Sequence, residues 1–179
     1  MIKKISIMVI LLVLFLSACQ TENTQTPAAQ GEAFELFLVT DPQISGADIQ
    51  NYDLNELPLA EEPLIATENI EKYDWETHTI YLTDDAYQKI LSVFSGSMRM
   101  SGVPFVIVST GERIYAGAFW SLASSLSFDG VVILQPFDPA GMPLFINLGY
   151  PSPDFFTGED PRANPRLLQA LEDAEVIRE

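Results

Sequence analysis

An unbroken apolar run from Val103 to Val108 constrains the fold of this chain more than any other stretch. An alternating strand has one wet face, whereas a continuously apolar strand is covered on both faces. Pro104 fits such a strand only near its beginning, where no ladder hydrogen bond needs the missing N–H. Ser109 to Glu112 then supplies a turn containing glycine, and Arg113 to Trp120 returns as a second strand. The run therefore predicts a β-hairpin over residues 105–120, at the centre of a sheet.

Two helices and several further strands are predicted around this hairpin. Thr83 is a suitable N-cap for a helix whose apolar residues, at helical spacing, are Tyr87, Ile90, Leu91 and Phe94. Asn164 and Pro165 begin a final helix, whose predicted buried face is Leu167, Leu168, Leu171 and Ala174. Strands are predicted at 34–39, 63–67, 77–82, 131–134 and 144–148. The acidic stretch 46–62 gives no assignment. These elements predict an α+β fold, with a mainly antiparallel sheet and two helices packed on it.

The first 19 residues have the three parts of an export signal. Lys3 and Lys4 form a positive beginning, Ile5 to Leu16 is nearly all apolar, and small residues precede Cys19. A run of this length is shorter than the roughly 20 helical residues needed to cross a bilayer. The segment therefore favours a cleaved signal over a permanent transmembrane helix.

The sequence Leu16-Ser17-Ala18-Cys19 resembles the lipobox of bacterial lipoproteins. The resemblance implies that residues 1–18 are a signal peptide, that cleavage precedes Cys19, and that this cysteine carries lipid. The protein is then anchored on the extracytoplasmic side of a bacterial membrane. Residues 19–33 are expected to be a flexible tether and 34–179 a single globular domain. An ordinary secretory signal and a short membrane anchor are the alternatives.

Composition excludes several classes of partner and of covalent chemistry. The chain has nine basic and 25 acidic residues, with a formal net charge of −16, so nucleic acid and anionic lipid headgroups are repelled. Cys19 is the only cysteine, which excludes an intramolecular disulfide and a thiolate metal cluster.

Patterns typical of catalysis are missing from the sequence. His78 is the only histidine and is predicted on the apolar face of a strand, which favours a hydrogen-bonded structural histidine over a catalytic or metal-binding one. Neither a GxSxG nor an SxxK pattern is present, and the many carboxylates single out no pair. No catalytic, cofactor-binding or metal-binding residue is predicted.

The segment 149–165 is rich in proline and long for a connection without secondary structure, and such segments are often functional. The sequence predicts a partner-docking surface here, formed by Tyr150, Phe155, Phe156, Asp160 and Arg162. In the alternative interpretation, the two phenylalanines pin the segment to the core, and Asp160 and Arg162 tie down the start of the last helix.

A second resemblance concerns the order of elements over residues 77–134. It is carried by Thr79 to Phe94, Phe105 to Val108, Gly111 to Ile114, Ser124-Ser125 and Gly130 to Ile133. This order resembles the periplasmic head subdomain of the protein-export component SecD. The resemblance implies an α+β head with helix on sheet, used for binding. SecD is a multispanning membrane protein, so its translocase function is not carried over.

Together these features predict a membrane-anchored binding or accessory module of the bacterial cell envelope, with an envelope protein as its partner. The alternative is an extracytoplasmic hydrolase that uses carboxylates. Two buried carboxylates about 5 to 9.5 Å apart in a deep cleft would favour the enzyme, and a shallow surface the binding module.

Overall fold

The computed structural model describes residues 31–96 and 99–177 and confirms the predicted α+β class. The strands are β1 (Glu35–Leu38), β2 (Ile65–Ala66), β3 (Ile70–Asp74), β4 (Thr79–Leu82), β5 (Val103–Ser109), β6 (Glu112–Trp120), β7 (Phe128–Leu134) and β8 (Leu144–Tyr150). The helices are α1 (Asp84–Phe94) and α2 (Pro165–Asp173), and short 3-10 helices cover Gly46–Asn51, Thr67–Asn69, Pro153–Phe155 and Pro161–Ala163. The predicted signal peptide, Cys19 and the tether up to residue 30 lie outside the described residues. Within 31–96 and 99–177, no helix combines the length and apolarity needed to cross a bilayer.

The eight strands form one sheet, which is mainly antiparallel as predicted. Their order is β2-β1-β5-β6-β7-β8-β4-β3. β2 and β3 lie at opposite ends of this order but are joined only by Thr67–Asn69, so the sheet curls. β3 was not predicted from the sequence. A bulge between Ile70 and Lys72 interrupts the two-residue alternation by which a strand is recognised.

One neighbouring pair departs from the prediction. β6 and β7 run parallel, from Gly117 opposite Val131 to Trp120 opposite Leu134, although antiparallel neighbours were expected here. Residues 121–127 carry the chain back across the sheet between these two strands. Side chains alternate in the same way in parallel and antiparallel strands, so the sequence pattern could not distinguish the two directions.

The hairpin β5–β6 lies in the interior of the sheet, as predicted, and Phe105 to Val108 is buried. One face of the sheet packs against α1 and α2 in a core to which all eight strands contribute. The other face of the central strands, which includes Val106, Val108, Trp120 and Val132, forms a second core. The continuous apolar pattern thus arises from burial on both sides.

The stretch without a sequence assignment supplies the cover of the second core. Ile44, Ile49 and Leu57 are buried against the central strands. The Arg113 guanidinium holds this covering segment by donating hydrogen bonds to the carbonyl oxygens of Leu54 and Leu57, at 2.6 and 2.8 Å.

Both predicted helix starts are present. The side chain of Thr83 accepts from the N–H of Ala86 at the start of α1, and the Asn164 side chain accepts at the start of α2. Leu167 and Leu171 are buried as predicted. The prediction was wrong for Leu168, which is only half-buried, and for Ala174, which is exposed because α2 ends at Asp173.

The two ends of β6 differ in what surrounds them. At its beginning, the chain enters the domain: the carbonyl oxygen of Glu32 accepts from the Thr110 N–H, and that of Ala33 accepts from the Ser109 hydroxyl. At its other end, Phe94 of α1 packs on Phe119, with ring centroids 4.8 Å apart. We call these the entry end and the α1 end of the domain.

Candidate functional site

Tyr150, the first of the predicted docking residues, is the last residue of β8 and directs its hydroxyl to the β6–β7 connection. The hydroxyl donates to the carbonyl oxygens of Leu122 and Ser124, at 3.2 and 3.4 Å. Its ring lies 5.9 Å from the ring of Trp120, centroid to centroid. Tyr150 therefore holds the β6–β7 connection against the sheet.

Asp160 and Arg162 form a two-pronged ion pair at the end of the same segment. Arg162 Nε and Nη2 lie 2.9 and 2.7 Å from the two Asp160 carboxylate oxygens, and Nη1 donates to the carbonyl oxygen of Ile146 at 2.5 Å. The Arg162 side chain is only 15% exposed. The hydrogen bonds from Arg162 hold the pKa of Asp160 below its ordinary value. The pair ties the start of the last helix to β8.

The two phenylalanines of the segment occupy different positions. Phe155 is exposed, whereas Phe156 is half-buried and lines a cleft of about 520 Å³. Asp160 and Arg162 thus make the contact that the structural interpretation assigns to them, and Tyr150 adds a further one, whereas Phe155, which was expected to pin the segment to the core, is exposed. Docking at these five residues stays a prediction. Phe155, at 44% exposed, is the most exposed of the three aromatic residues among them.

The cleft beside Phe156 opens where β6 and β7 separate before their parallel pairing begins. Its walls carry polar groups, among them Gln50, Asn51 and Glu159. The carboxylate of Asp129 at its rim is already occupied, because its two oxygens accept from the N–H and the hydroxyl of Thr157 at 2.7 and 2.5 Å. These hydrogen bonds lower the pKa of Asp129. No arrangement in this cleft selects one kind of ligand.

A second cavity, of about 510 Å³, lies at the α1 end and has a different character. Three chain segments form it: the end of α1, the beginning of the β6–β7 connection, and the residues after β7. Its larger side chains are Leu91, Phe94, Leu122, Gln135, Pro136 and Phe137. We call it the apolar groove.

None of the described residues that line the apolar groove is charged, although the chain as a whole is strongly acidic. Leu122 is 56% exposed and Phe137 is 62% exposed, the two largest exposed fractions among the large apolar side chains described. Exposed apolar surface concentrated in a concavity marks a binding site more often than the same residues scattered singly.

Three contacts hold the walls of the apolar groove in place. The Gln88 side chain of α1 donates to the carbonyl oxygen of Pro139, at 3.0 Å, and so fixes the segment after β7. The Ser124 hydroxyl donates to the carbonyl oxygen of Met100, at 2.6 Å, and Tyr150 bonds the same connection from the other side. Tyr150 therefore supports a wall of a site to which it does not itself belong.

Gln135 is the one polar side chain buried at the apolar groove whose hydrogen bonding is incomplete. It is 7% exposed, and its Nε2 faces the carbonyl oxygens of Phe119 and Arg99, at 3.4 and 3.5 Å. Its Oε1 has no hydrogen-bond partner in the part of the chain that the structure describes. The groove thus presents an apolar surface around a buried acceptor that lacks a donor.

The geometry gives no support to the hydrolase alternative. Among the described residues, no aspartate or glutamate is buried, and no cluster of histidine, cysteine or carboxylate side chains could hold a metal ion. His78 lies in the turn before β4, not within a strand, with its Nδ1 3.3 Å from the hydroxyl of Tyr73. Burial, and then the charge of Arg162, lower the pKa of His78. This is the environment of a hydrogen-bonded histidine inside the fold.

Comparisons with protein-family models, with curated proteins and with solved structures give no match. The resemblances to bacterial lipoproteins and to the SecD head subdomain therefore stay predictions. The apolar groove was not predicted. Phe137 between two prolines was its only local signal, and neither Leu122 nor Gln135 stands out from its own neighbours in the sequence.

Proposed function

We propose that this protein is a lipid-anchored binding module of the bacterial cell envelope, which captures an envelope protein in the apolar groove. The anchor rests on the sequence that ends at Cys19. The binding function rests on one observation: a groove without charge, bordered by exposed Leu122 and Phe137, in a chain of net charge −16. Exposed apolar surface lowers solubility, so a concentrated patch of it marks an interaction site.

The position of the apolar groove leaves it open to a partner other than the anchoring membrane. The chain enters the domain beside Ser109 and Thr110, whereas the groove lies at the other end of β6. The nine residues of β6 span about 30 Å at roughly 3.3 Å per residue. The groove and the point where the tether joins the domain therefore lie at opposite ends of β6, so the anchor does not hold the groove against the bilayer.

The anchor is tested by replacing Cys19 with alanine. We expect the Cys19→Ala protein to be released from membranes or to remain unprocessed, since stable attachment needs lipid on this residue. Fractionation and mass spectrometry of the intact chain distinguish these results from the parent. Membrane association with trimming like that of the parent would show that the lipoprotein interpretation is wrong.

Capture is tested with a photo-crosslinking amino acid at position 137 of the tethered protein in cells. Position 145 is the matched control, because Phe145 is also an exposed phenylalanine but lies on β8, outside the apolar groove. We expect a defined envelope protein to be crosslinked from position 137 and not from position 145. Equal crosslinking from both positions, or none from 137, would contradict the proposal.

The partner identified in this way is then purified and its affinity measured. Phe137→Ala and Leu122→Ala should each weaken binding by about tenfold or more, as is usual when a central apolar contact is truncated. Phe145→Ala should change it less than twofold. Affinity that is unaffected by Phe137→Ala would remove the apolar groove from the interaction.

A further inference from the structure

The orientation of the Gln135 amide follows from its surroundings. The nitrogen and oxygen ends of an amide have the same shape, so the hydrogen-bond partners decide which is which. Carbonyl oxygens of Phe119 and Arg99 lie near one end, and they can only accept. The Nε2 must therefore face them, and the Oε1 is the atom without a partner within the described residues.

A buried amide oxygen without a donor is costly, and folded proteins contain few of them. Gln135 is more than nine-tenths buried, and the residues around it in the apolar groove are mostly aliphatic, aromatic or proline. A molecule that enters the groove with apolar groups and one N–H would both cover this surface and complete the hydrogen bonding of Gln135. A molecule without a donor would leave the oxygen unsatisfied.

From this we infer that the apolar groove is a peptide site, in which apolar side chains pack between Leu122 and Phe137 while a backbone N–H donates to Gln135 Oε1. The inference rests on the proposed function and names the chemistry of its partner. A backbone N–H between two apolar side chains is present in every apolar peptide segment. A lipid acyl chain has no donor, and a charged ligand finds no opposite charge in the lining.

Access to Gln135 requires a small movement of the wall of the apolar groove, because the Oε1 is shielded from solvent in the free chain. Leu122 and Phe137 are the most exposed large side chains of the lining. Peptide binding should therefore change the side-chain rotamers of these two residues, while Phe94, packed on Phe119, keeps its position.

The inference is tested by NMR titration of the folded protein with a capped tripeptide, acetyl-Leu-Phe-Leu-amide, and with analogues in which each backbone N–H in turn is methylated. Methyl decanoate serves as an acyl probe without a donor. We expect the tripeptide to shift the Gln135 side-chain amide signals and the methyl signals of Leu122. Methylation at one position should weaken binding about tenfold, the order expected for the loss of a hydrogen bond to a buried acceptor.

Gln135→Met is the matched variant, because methionine has a similar shape and no amide oxygen. It should bind the tripeptide and the critical N-methyl analogue with equal affinity, while Leu122→Ala should weaken both. If all analogues bind the parent equally, or methyl decanoate binds more tightly than the tripeptide, the peptide inference is overturned although the groove remains a binding site. If no probe shifts the signals of Leu122 or Phe137, the peptide inference is overturned. The crosslinking result at position 137 then decides separately on the proposed function.

Discussion

The segment 149–165 and the apolar groove have similar aromatic content but use their side chains differently. In the segment, Tyr150 and Arg162 direct their polar atoms to backbone carbonyls of other parts of the domain, and the carboxylate of Asp160 is paired. In the groove, Phe137 is mostly exposed and Gln135 Oε1 has no donor among the described residues. These polar side chains of the segment have hydrogen-bond partners within the domain, whereas the groove has an uncovered apolar side chain and a buried acceptor without a donor in the described part of the chain.

This difference separates two reasons for aromatic residues near the surface of a domain. A proline-rich segment without regular structure needs side chains that fix it to the body of the domain, and Tyr150 does this for 149–165. A binding surface needs side chains that the fold itself leaves uncovered. The two regions also meet, because Tyr150 holds the connection that carries Leu122.

The largest expected effect comes from Arg162. Arg162→Ala removes a largely buried guanidinium. The Ile146 carbonyl loses this donor and the Asp160 carboxylate keeps only the backbone N–H of residue 162, so the free energy of unfolding should fall by roughly 2 to 4 kcal/mol. Arg166→Ala is the control, since its ion pair with Glu112 is exposed and should be worth less than about 1 kcal/mol. Urea unfolding measures both. If Arg162→Ala lowered the free energy of unfolding no more than Arg166→Ala does, Arg162 would not be a structural residue and would be available for docking.

A smaller effect is expected at Tyr150. Tyr150→Phe keeps the ring against Trp120 but removes the donor to Leu122 and Ser124, at a cost of about 1 kcal/mol. Because the Leu122 wall of the apolar groove loosens, binding at the groove should weaken severalfold. Tyr81→Phe, an exposed residue on β4, should stay within about 0.5 kcal/mol of the parent. If the Tyr150→Phe protein had the stability and the groove binding of the parent, Tyr150 would not support the wall of the apolar groove.

The third prediction uses His78, whose pKa is lowered by burial and by the charge of Arg162. The unfolded chain binds this proton more readily, so the free energy of unfolding should fall as the pH decreases below about 6.5, until the folded pKa is passed. The single histidine gives one NMR titration curve. Arg162→Gln should raise the pKa of His78. A folded pKa at or above the ordinary value would show that the His78 ring is not buried near the charge of Arg162 as described.

The smallest change in stability is expected in the apolar groove itself. Phe137→Ala and Leu122→Ala should each leave the free energy of unfolding within about 0.5 kcal/mol of the parent, because both side chains are mostly exposed. Phe155→Ala, exposed in the segment 149–165, should be equally mild but should leave groove binding unchanged. A loss above about 2 kcal/mol for Phe137→Ala would identify it as a core residue and close the groove as a site.

Local signals were sufficient for most of the elements. The apolar spacing from Tyr87 to Phe94 and the caps Thr83 and Asn164 predicted both helices, because these interactions act within one or two turns. The continuous apolar run at Phe105 predicted a strand buried on both faces. The strand β3 was missed because its bulge breaks the alternation.

The candidate site was less accessible to the same reasoning. The many proline and aromatic residues of 149–165 predicted a docking surface there, since those residues lie together in one stretch of the sequence. Whether Tyr150 and Arg162 are free or occupied depends on partners such as Leu122 and Ile146, which are distant in the chain. The sequence could therefore name these residues but could not decide between docking and support.

The sequence by itself determined the α+β class, the central position of the hairpin, and both helix starts. The spacing of apolar residues, the continuous apolar run and the helix caps are all properties of residues close together in the chain. Only the tertiary structure decided the parallel direction of β7, the covering role of the segment around Ile49, and the apolar groove. The groove joins Leu91, Leu122 and Phe137 from three separate stretches. No local interaction links those stretches, so their meeting, and the isolation of Gln135 Oε1 among them, follows from how the sheet curls and where α1 packs.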